Sequence, residues 1–314
     1  MLQNIKSWFN SEPKVAVPEW AALFESHEYL AFIGAIKAYF NKKNLQYTLT
    51  DGVIEIENNP FGFGKLGLGN LTQSCKQHEP QEYERLVAQH FDGLDVAHAF
   101  NAQFQENVHD FESVKQYIGM RLYASSYVQH FDKPIHTGYM FAEGIFALLI
   151  YDLPHSVMNV QHSEMLQWGK TRDELFAIAK ANSRVKYPPQ FAQHEIGETE
   201  IWVTHADHFF TANTAFFLAE HPELVGSEGA LVALPHRHTA IFYPIEDMKI
   251  VAALNTMLQM AYGMNAEGPG SLSPHLYWYN NGVFTDLPYS IQGQSLDFAP
   301  PAEFVAMLER LQAQ

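Results

Sequence analysis

Two dipeptides constrain this chain more than anything else in it. Asp51-Gly52 sits at the centre of "LQYTLTDGVIEIEN" (45–58), and Asn281-Gly282 sits in "HLYWYNNGVFTDLP" (275–288). Asp-Gly and Asn-Gly tolerate the positive φ angles of a two-residue hairpin turn, and the flanking residues alternate apolar with polar. Each stretch therefore reads as two antiparallel strands. Further strand candidates are 118–128, 144–152, 200–205, 230–234 and 239–243. Between them lie helical patterns at 18–40, 80–94, 163–184, 211–224, 247–264 and 301–312. The helix over 80–94 is expected to end near Gly93. That over 163–184 comes in two pieces, the second capped by Thr171 with Glu174 three residues on, a capping-box spacing. Strands in adjacent pairs followed by helices predict an α+β fold, with small antiparallel sheets packed on amphipathic helices.

The chain has 314 residues, 47% of them hydrophobic, enough to bury one large core or two smaller ones. The proline-rich, polar stretch "KYPPQFAQHEIGE" (186–198) is the candidate boundary, giving an N-terminal region 1–190 and a C-terminal region 191–314, or one continuous domain. Nineteen Lys and Arg against 35 Asp and Glu leave a net charge of −16. That balance disfavours nucleic acid and anionic lipid and favours a basic protein partner. A single cysteine, Cys75, excludes an intramolecular disulfide and fits a reducing compartment. The N-terminus shows no secretory pattern, and no apolar run reaches the roughly 20 residues of a membrane helix. The expected setting is cytoplasmic, with no membrane partner.

Four stretches, "MRLYASSYV" (120–128), "MLQWGKTRDELFAIAKANS" (165–183), "HFFTANTAFFLAEH" (208–221) with "GALVALPHRHTAIFYPI" (229–245), and "SLSPHLYWYNNGVF" (271–284), together resemble the YtpQ-like bacterial proteins of unknown function. The resemblance spans about residues 45–290. It implies an intracellular α+β protein and brings no activity. The chain departs from that pattern at Asn213-Thr214-Ala215, where the family tends to Asn-Asp-Gly, and at His238, where it tends to an acid.

The chemistry candidates begin with "PHRH" (235–238). Residues two apart in an extended segment face one way, so His236 and His238 could share a metal, with His205, Asp207 and His208 adding ligands from a neighbouring strand end. Imidazoles with a carboxylate suit zinc or a similar divalent ion. The plainer reading is a short polar turn between two strands. "FGFGKLGLG" (61–69) spells G-x-G-x-x-G with Gly62, Gly64 and Gly67, but Asn58-Asn59-Pro60 precedes it and "KLGLGNL" is a poor helix start, so a glycine-rich strand is expected. Cys75 lies beside Lys76 and His78, neighbours that could activate a thiol, in what reads as a loop. Asp92 with Asp95, and Asp110 with Glu112, are carboxylate pairs that solvated helix ends explain equally. Tyr277, Trp278 and Tyr279 alternate across a strand and offer an aromatic interaction surface if one face is uncovered. The leading expectation is a non-catalytic binding or accessory protein acting through protein–protein interaction. The alternative is a metal-dependent hydrolase built on His205, Asp207, His208, His236 and His238.

Overall fold

The structure is a computed structural model that describes residues 15–57, 60–62, 65–129, 137–206, 208–292 and 295–313. The chain gathers into two compact units, Met1–Phe104 and Gln105–Gln314. The stretch 186–198, expected above as a boundary, lies inside the second unit.

In the first unit α1 (Ser26–Lys42) is followed by a three-stranded antiparallel sheet in the order β1 (Tyr47–Thr50), β2 (Val53–Ile56), β3 (Leu66–Gly67). The turn between β1 and β2 has φ of 47° at Asp51 and 75° at Gly52, the geometry that dipeptide supplies. α2 (Gly69–Lys76) and all but the last two residues of α3 (Tyr83–Glu106) complete the unit. Gly93 does not end α3, because helix-favouring residues and the packed rings of Phe91 and Phe104 carry the helix through it. Phe24, Phe32, Phe40, Tyr83 and Phe91 form an aromatic core between the helices.

The second unit begins with the short helix α4 (Phe111–Val114), capped by the Asp110 carboxylate. Its first sheet is built on β6 (Ile145–Asp152). β4 (Ile118–Ala124) pairs along one edge of β6, and β5 (Gly138–Ala142) and β7 (Val157–Asn159) also pair with it. The turn α5 (Ser125–Val128) follows β4. α6 (His162–Gln167) and α7 (Arg172–Lys186) come next. Thr171 caps α7, exchanging hydrogen bonds with Glu174. α7 lays Leu175, Phe176, Ala179 and Ser183 inward, and Asn182 Nδ2 donates to the Ile118 carbonyl at 2.8 Å.

The second sheet is six-stranded and wholly antiparallel. It is formed by β8 (Phe191–Ile196), β9 (Thr199–His205), β10 (Ala230–His236), β11 (Thr239–Pro244), β12 (Leu276–Asn280) and β13 (Val283–Leu287), in the order β13-β12-β10-β11-β9-β8. β10 is buried along its whole length, which is why it reads as an unbroken apolar run rather than an alternating one. α8 (Ile250–Glu267) covers one face, its Ile250, Ala253, Met257 and Ala261 meeting Leu231, Ala233 and Ile241. A two-stranded ribbon of β14 (Tyr289–Gln292) and β15 (Ser295–Phe298) leads to α9 (Ala302–Gln312), which adds Phe304 and Met307 to the same core. Residues 211–224, expected as an α-helix, are instead two tighter 3-10 segments, Thr211–Glu220 and Pro222–Leu224. Pro222 interrupts the segment, and the Thr214 hydroxyl bonds the Thr211 carbonyl three residues back.

Candidate functional site

"PHRH" is a turn, and its side chains are held in place from several directions. β10 ends at His236 and β11 begins at Thr239. Arg237 donates its backbone N–H to the Gly270 carbonyl at 3.1 Å, and its own carbonyl accepts from Ala212 N–H at 3.1 Å. The Pro235 carbonyl accepts from Leu272 N–H at 2.9 Å and from Asn265 Nδ2 at 2.7 Å. The segment after α8 is thus laced along the turn. Gly268 and Gly270 make that close approach possible. A Cβ at Gly268 would strike the His236 ring, and one at Gly270, where φ is 71°, would strike the Arg237 guanidinium.

Two side chains are so enclosed, His236, which is 6% exposed, and Arg237, which is 8% exposed. The Arg237 guanidinium carbon stands 5.9 Å from the centre of the Tyr123 ring on β4. Arg121, also on β4 and 9% exposed, stands 5.1 Å from the same ring and 5.3 Å from that of Phe209. Tyr127 on α5 stacks on Tyr123, with ring centres 4.8 Å apart and planes 13° from parallel. Tyr127 is 48% exposed and Phe209 49% exposed, so two aromatic rims flank two nearly buried cations. The Nε of each arginine is buried without a hydrogen-bond partner. Burial pulls the Arg121 pKa below the usual arginine range, with the Tyr123 and Tyr127 hydroxyls and Asp152 acting in the opposite sense. Asp152 is itself engaged, because its carboxylate accepts from Lys186 Nζ and from Tyr187 Oη at 2.8 Å.

Two of the histidines accept hydrogen bonds from nearby backbone. His236 Nδ1 accepts the backbone N–H of His238 at 3.2 Å, and His208 Nδ1 accepts that of Phe210 at 3.3 Å. An acceptor Nδ1 places the ring proton of each neutral imidazole on Nε2. The His236 and His238 ring centres are 6.1 Å apart, and His238 lies against Phe209 at 5.3 Å. His208 instead packs on Tyr187 at 4.7 Å, lining a cleft of about 260 Å³ with Lys186, Thr204, Asn213 and Phe217. Among the described residues no group of three His, Cys, Asp or Glu is arranged to hold a metal. Asp207 and the side chain of His205 lie outside those residues. The Cα of His205 is paired with Thr239 across the sheet.

The other candidates resolve into structural parts. Tyr277, Trp278 and Tyr279 are not an open aromatic surface. All three are buried, because both faces of β12 are covered. Tyr277 Oη donates to the Glu143 carbonyl at 2.7 Å and Trp278 Nε1 to the Glu228 carbonyl at 2.8 Å, while Tyr279 packs on Phe284. Cys75 is not in a loop. It is buried in α2, and burial pushes its thiol up to about 12, while Lys76 turns away to Glu28 at 2.7 Å. Among its described residues the glycine-rich stretch forms the two-residue strand β3, and α2 does begin at its last residue, Gly69. Gly62, at φ 73°, lies against the His98 ring, and Gly64 is outside the described residues. Asp92 is held by Lys43 at 2.7 Å and Tyr39 at 3.0 Å, and Lys43 also approaches Asp95 at 3.8 Å. Asp110 caps α4 by accepting from Glu112 N–H, and the Glu112 carboxylate pairs with Lys115 at 3.6 Å.

Arg121 and Tyr123 were missed as site residues. Their signal is an arginine inside "IGMRLYA", an otherwise apolar strand, where a charge is costly unless it serves something. The chain matches no protein-family model, no curated protein and no solved structure.

Proposed function

We propose that the protein is a non-catalytic binding protein that works through protein–protein contact, and that its contact surface is the aromatic–guanidinium patch of the second unit. The observation that carries this reading is the juxtaposition of half-exposed Tyr127 and Phe209 with the nearly buried Arg121 and Arg237 around one ring, Tyr123. Tyrosine and arginine in a rigid setting are the side chains that dominate binding energies at interfaces. The setting here is rigid, because the backbone of Arg237 is hydrogen-bonded on both sides. A preformed site loses less entropy on binding than a mobile one. A YtpQ-like kinship would fit this reading, since it brings no catalytic role. Net charge alone favours a basic partner. The patch is the better guide, because chemistry at the contact decides specificity and the patch carries the opposite sign.

The test is a comparison of what wild-type protein and a Tyr127→Ser/Phe209→Ser variant retain from native lysate. A species held by the wild type and lost from the variant, at unchanged melting temperature, is the expected result. Identical capture by both would place the contact surface elsewhere.

A further inference from the structure

We infer that Arg121 and Arg237 form a carboxylate-binding site, and that its ligand is an acidic side chain within a peptide segment that also contacts Tyr127 and Phe209. The inference rests on the proposed binding role of this patch and names the chemistry the patch recognises.

Two guanidinium groups approach the same Tyr123 ring, at 5.1 and 5.9 Å, and both side chains are more than nine-tenths buried. A buried cation normally has an anion or a set of acceptors beside it, because the cost of removing charge from water is otherwise not recovered. Here the Nε of each is buried without an acceptor, and no ion pair among the described residues involves either arginine. The aromatic faces of Tyr123 and Phe209 hold the cations loosely through the ring quadrupole, and the Tyr123 hydroxyl is a polar neighbour of Arg121, but neither ring brings the negative charge that would balance a guanidinium. The donors in the guanidinium plane are what a carboxylate binds, two at a time.

The position is built rather than incidental. Gly270 sits where any side chain would strike the Arg237 guanidinium, and its carbonyl fixes the Arg237 backbone. Arg121 is held on a central stretch of β4, paired with Leu148 of β6. The whole-chain charge of −16 repels a phosphate dianion more strongly than a single carboxylate, which favours the carboxylate. The half-exposed rings at the rim give residues flanking that carboxylate an apolar surface, which favours a peptide over a small free acid.

The experiment uses the full chain with 15N-labelled arginine. The probes are an amidated peptide with two glutamates beside a phenylalanine, the same peptide with glutamines, free succinate, and inorganic phosphate, all at equal ionic strength. Buried arginine Nε–H groups give separate resonances that move when an anion binds. The expected result is that the glutamate peptide shifts the Arg121 and Arg237 signals and raises Tm, that the glutamine peptide does neither, and that succinate acts only more weakly. A response to phosphate equal to or above that of the glutamate peptide would overturn the carboxylate assignment. Equal responses to both peptides would mean an apolar rim without charge recognition. Silence to every probe would overturn the inference but leave the binding reading standing, if Tyr127→Ser/Phe209→Ser still abolishes capture.

Substitution separates a ligand site from a structural role. Arg237→Met keeps the stem and removes the charge. The expected result is a loss of about tenfold or more in peptide affinity, with Tm in the absence of peptide unchanged or raised. A sharp fall in Tm would show that the arginine supports the fold, and would overturn the assignment. Arg237→Lys, which keeps the charge without the planar fork, is expected to bind with intermediate affinity at wild-type Tm, and full affinity in this variant would count against bidentate recognition.

Discussion

At Gly270 three requirements meet in one residue: a positive φ, a carbonyl aimed at Arg237 N–H, and no Cβ. Gly270→Ala should therefore act in two ways. It should destabilise by about 1–3 kcal/mol from left-handed backbone and collision together, and it should displace the guanidinium that shares the space. Urea unfolding reads the first effect and the arginine Nε–H resonance of Arg237 reads the second. An alanine variant with wild-type stability and an unmoved resonance would show that the loop yields freely, and the rigidity attributed to the site would be lost. Cys75 offers a contrast at the same scale. Its neighbours in sequence suggest activation, but burial dominates, since Lys76 is engaged by Glu28 and the thiol is pushed up to about 12. Folded protein should leave a thiol reagent unreacted over the pH range 7–9, with one equivalent consumed on adding denaturant. Rapid modification of native protein would mean that α2 opens readily.

Among the elements, turn and cap chemistry was the most legible part of the sequence. Asp51-Gly52 and Asn281-Gly282 form the expected hairpins because only a few residue pairs tolerate their φ angles. The Thr171–Glu174 box starts α7 for the same local reason. Thr171→Ala should lower stability by about 1 kcal/mol, visible in urea unfolding followed by circular dichroism, and a change near zero would mean that packing of α7 alone sets its start. Elements fixed by tertiary contact were harder to read. Gly93 looked like a stop, yet its neighbours are packed into a core that a single glycine does not undo. β8 falls in the stretch whose prolines and polar residues suggest a boundary, its residues are mostly exposed, and pairing with β9 is what makes it a strand. The candidate site shows the same division. "PHRH" was legible as a turn, whereas the meeting of Arg121, Tyr123 and Arg237 joins two different sheets and leaves no local pattern. A pH effect also belongs here. His275, before β12, bonds Asp286 on β13 at 3.0 Å, and that bond raises the histidine pKa against the opposing effect of burial. A raised folded-state pKa adds stability below the ordinary histidine value of about 6.5, and the gain is lost as pH rises through the folded value above it. His275→Gln should therefore cost more at acidic pH than at alkaline pH in paired unfolding curves, and a pH-independent difference would show that the pair adds nothing through charge.

At the scale of the whole molecule, the two largest hydrophobic clusters among the described residues share no residue, and a smaller third one, around Tyr123, Leu148, Ile150 and Phe210, lies in the second unit. Of the two largest, one gathers side chains from Ala21 to Phe91, and the other gathers side chains from Ile201 to Leu311. Cooperative unfolding follows contiguous packing, so each core should set the stability of its own unit. Phe91 is fully buried and its ring lies 4.9 Å from Phe40 and 5.1 Å from Tyr39. Phe91→Ala removes the centre of that aromatic cluster and should cost about 3–5 kcal/mol in the first unit. Met257, fully buried between α8 and the six-stranded sheet, should cost about 2–5 kcal/mol in the second unit when cut to alanine. Hydrogen exchange resolved by segment separates the two effects. Phe91→Ala should speed exchange over α1, β1, β2 and α3 and leave β10 and α8 at their wild-type rates, and Met257→Ala should do the reverse. Faster exchange throughout the chain in either variant would mean that the cores unfold as one cooperative body. The outcome also bears on the binding patch, since Arg121, Tyr123, Phe209 and Arg237 all lie in the second unit. With independent units, Phe91→Ala leaves peptide affinity at that patch unchanged even when the first unit is largely unfolded.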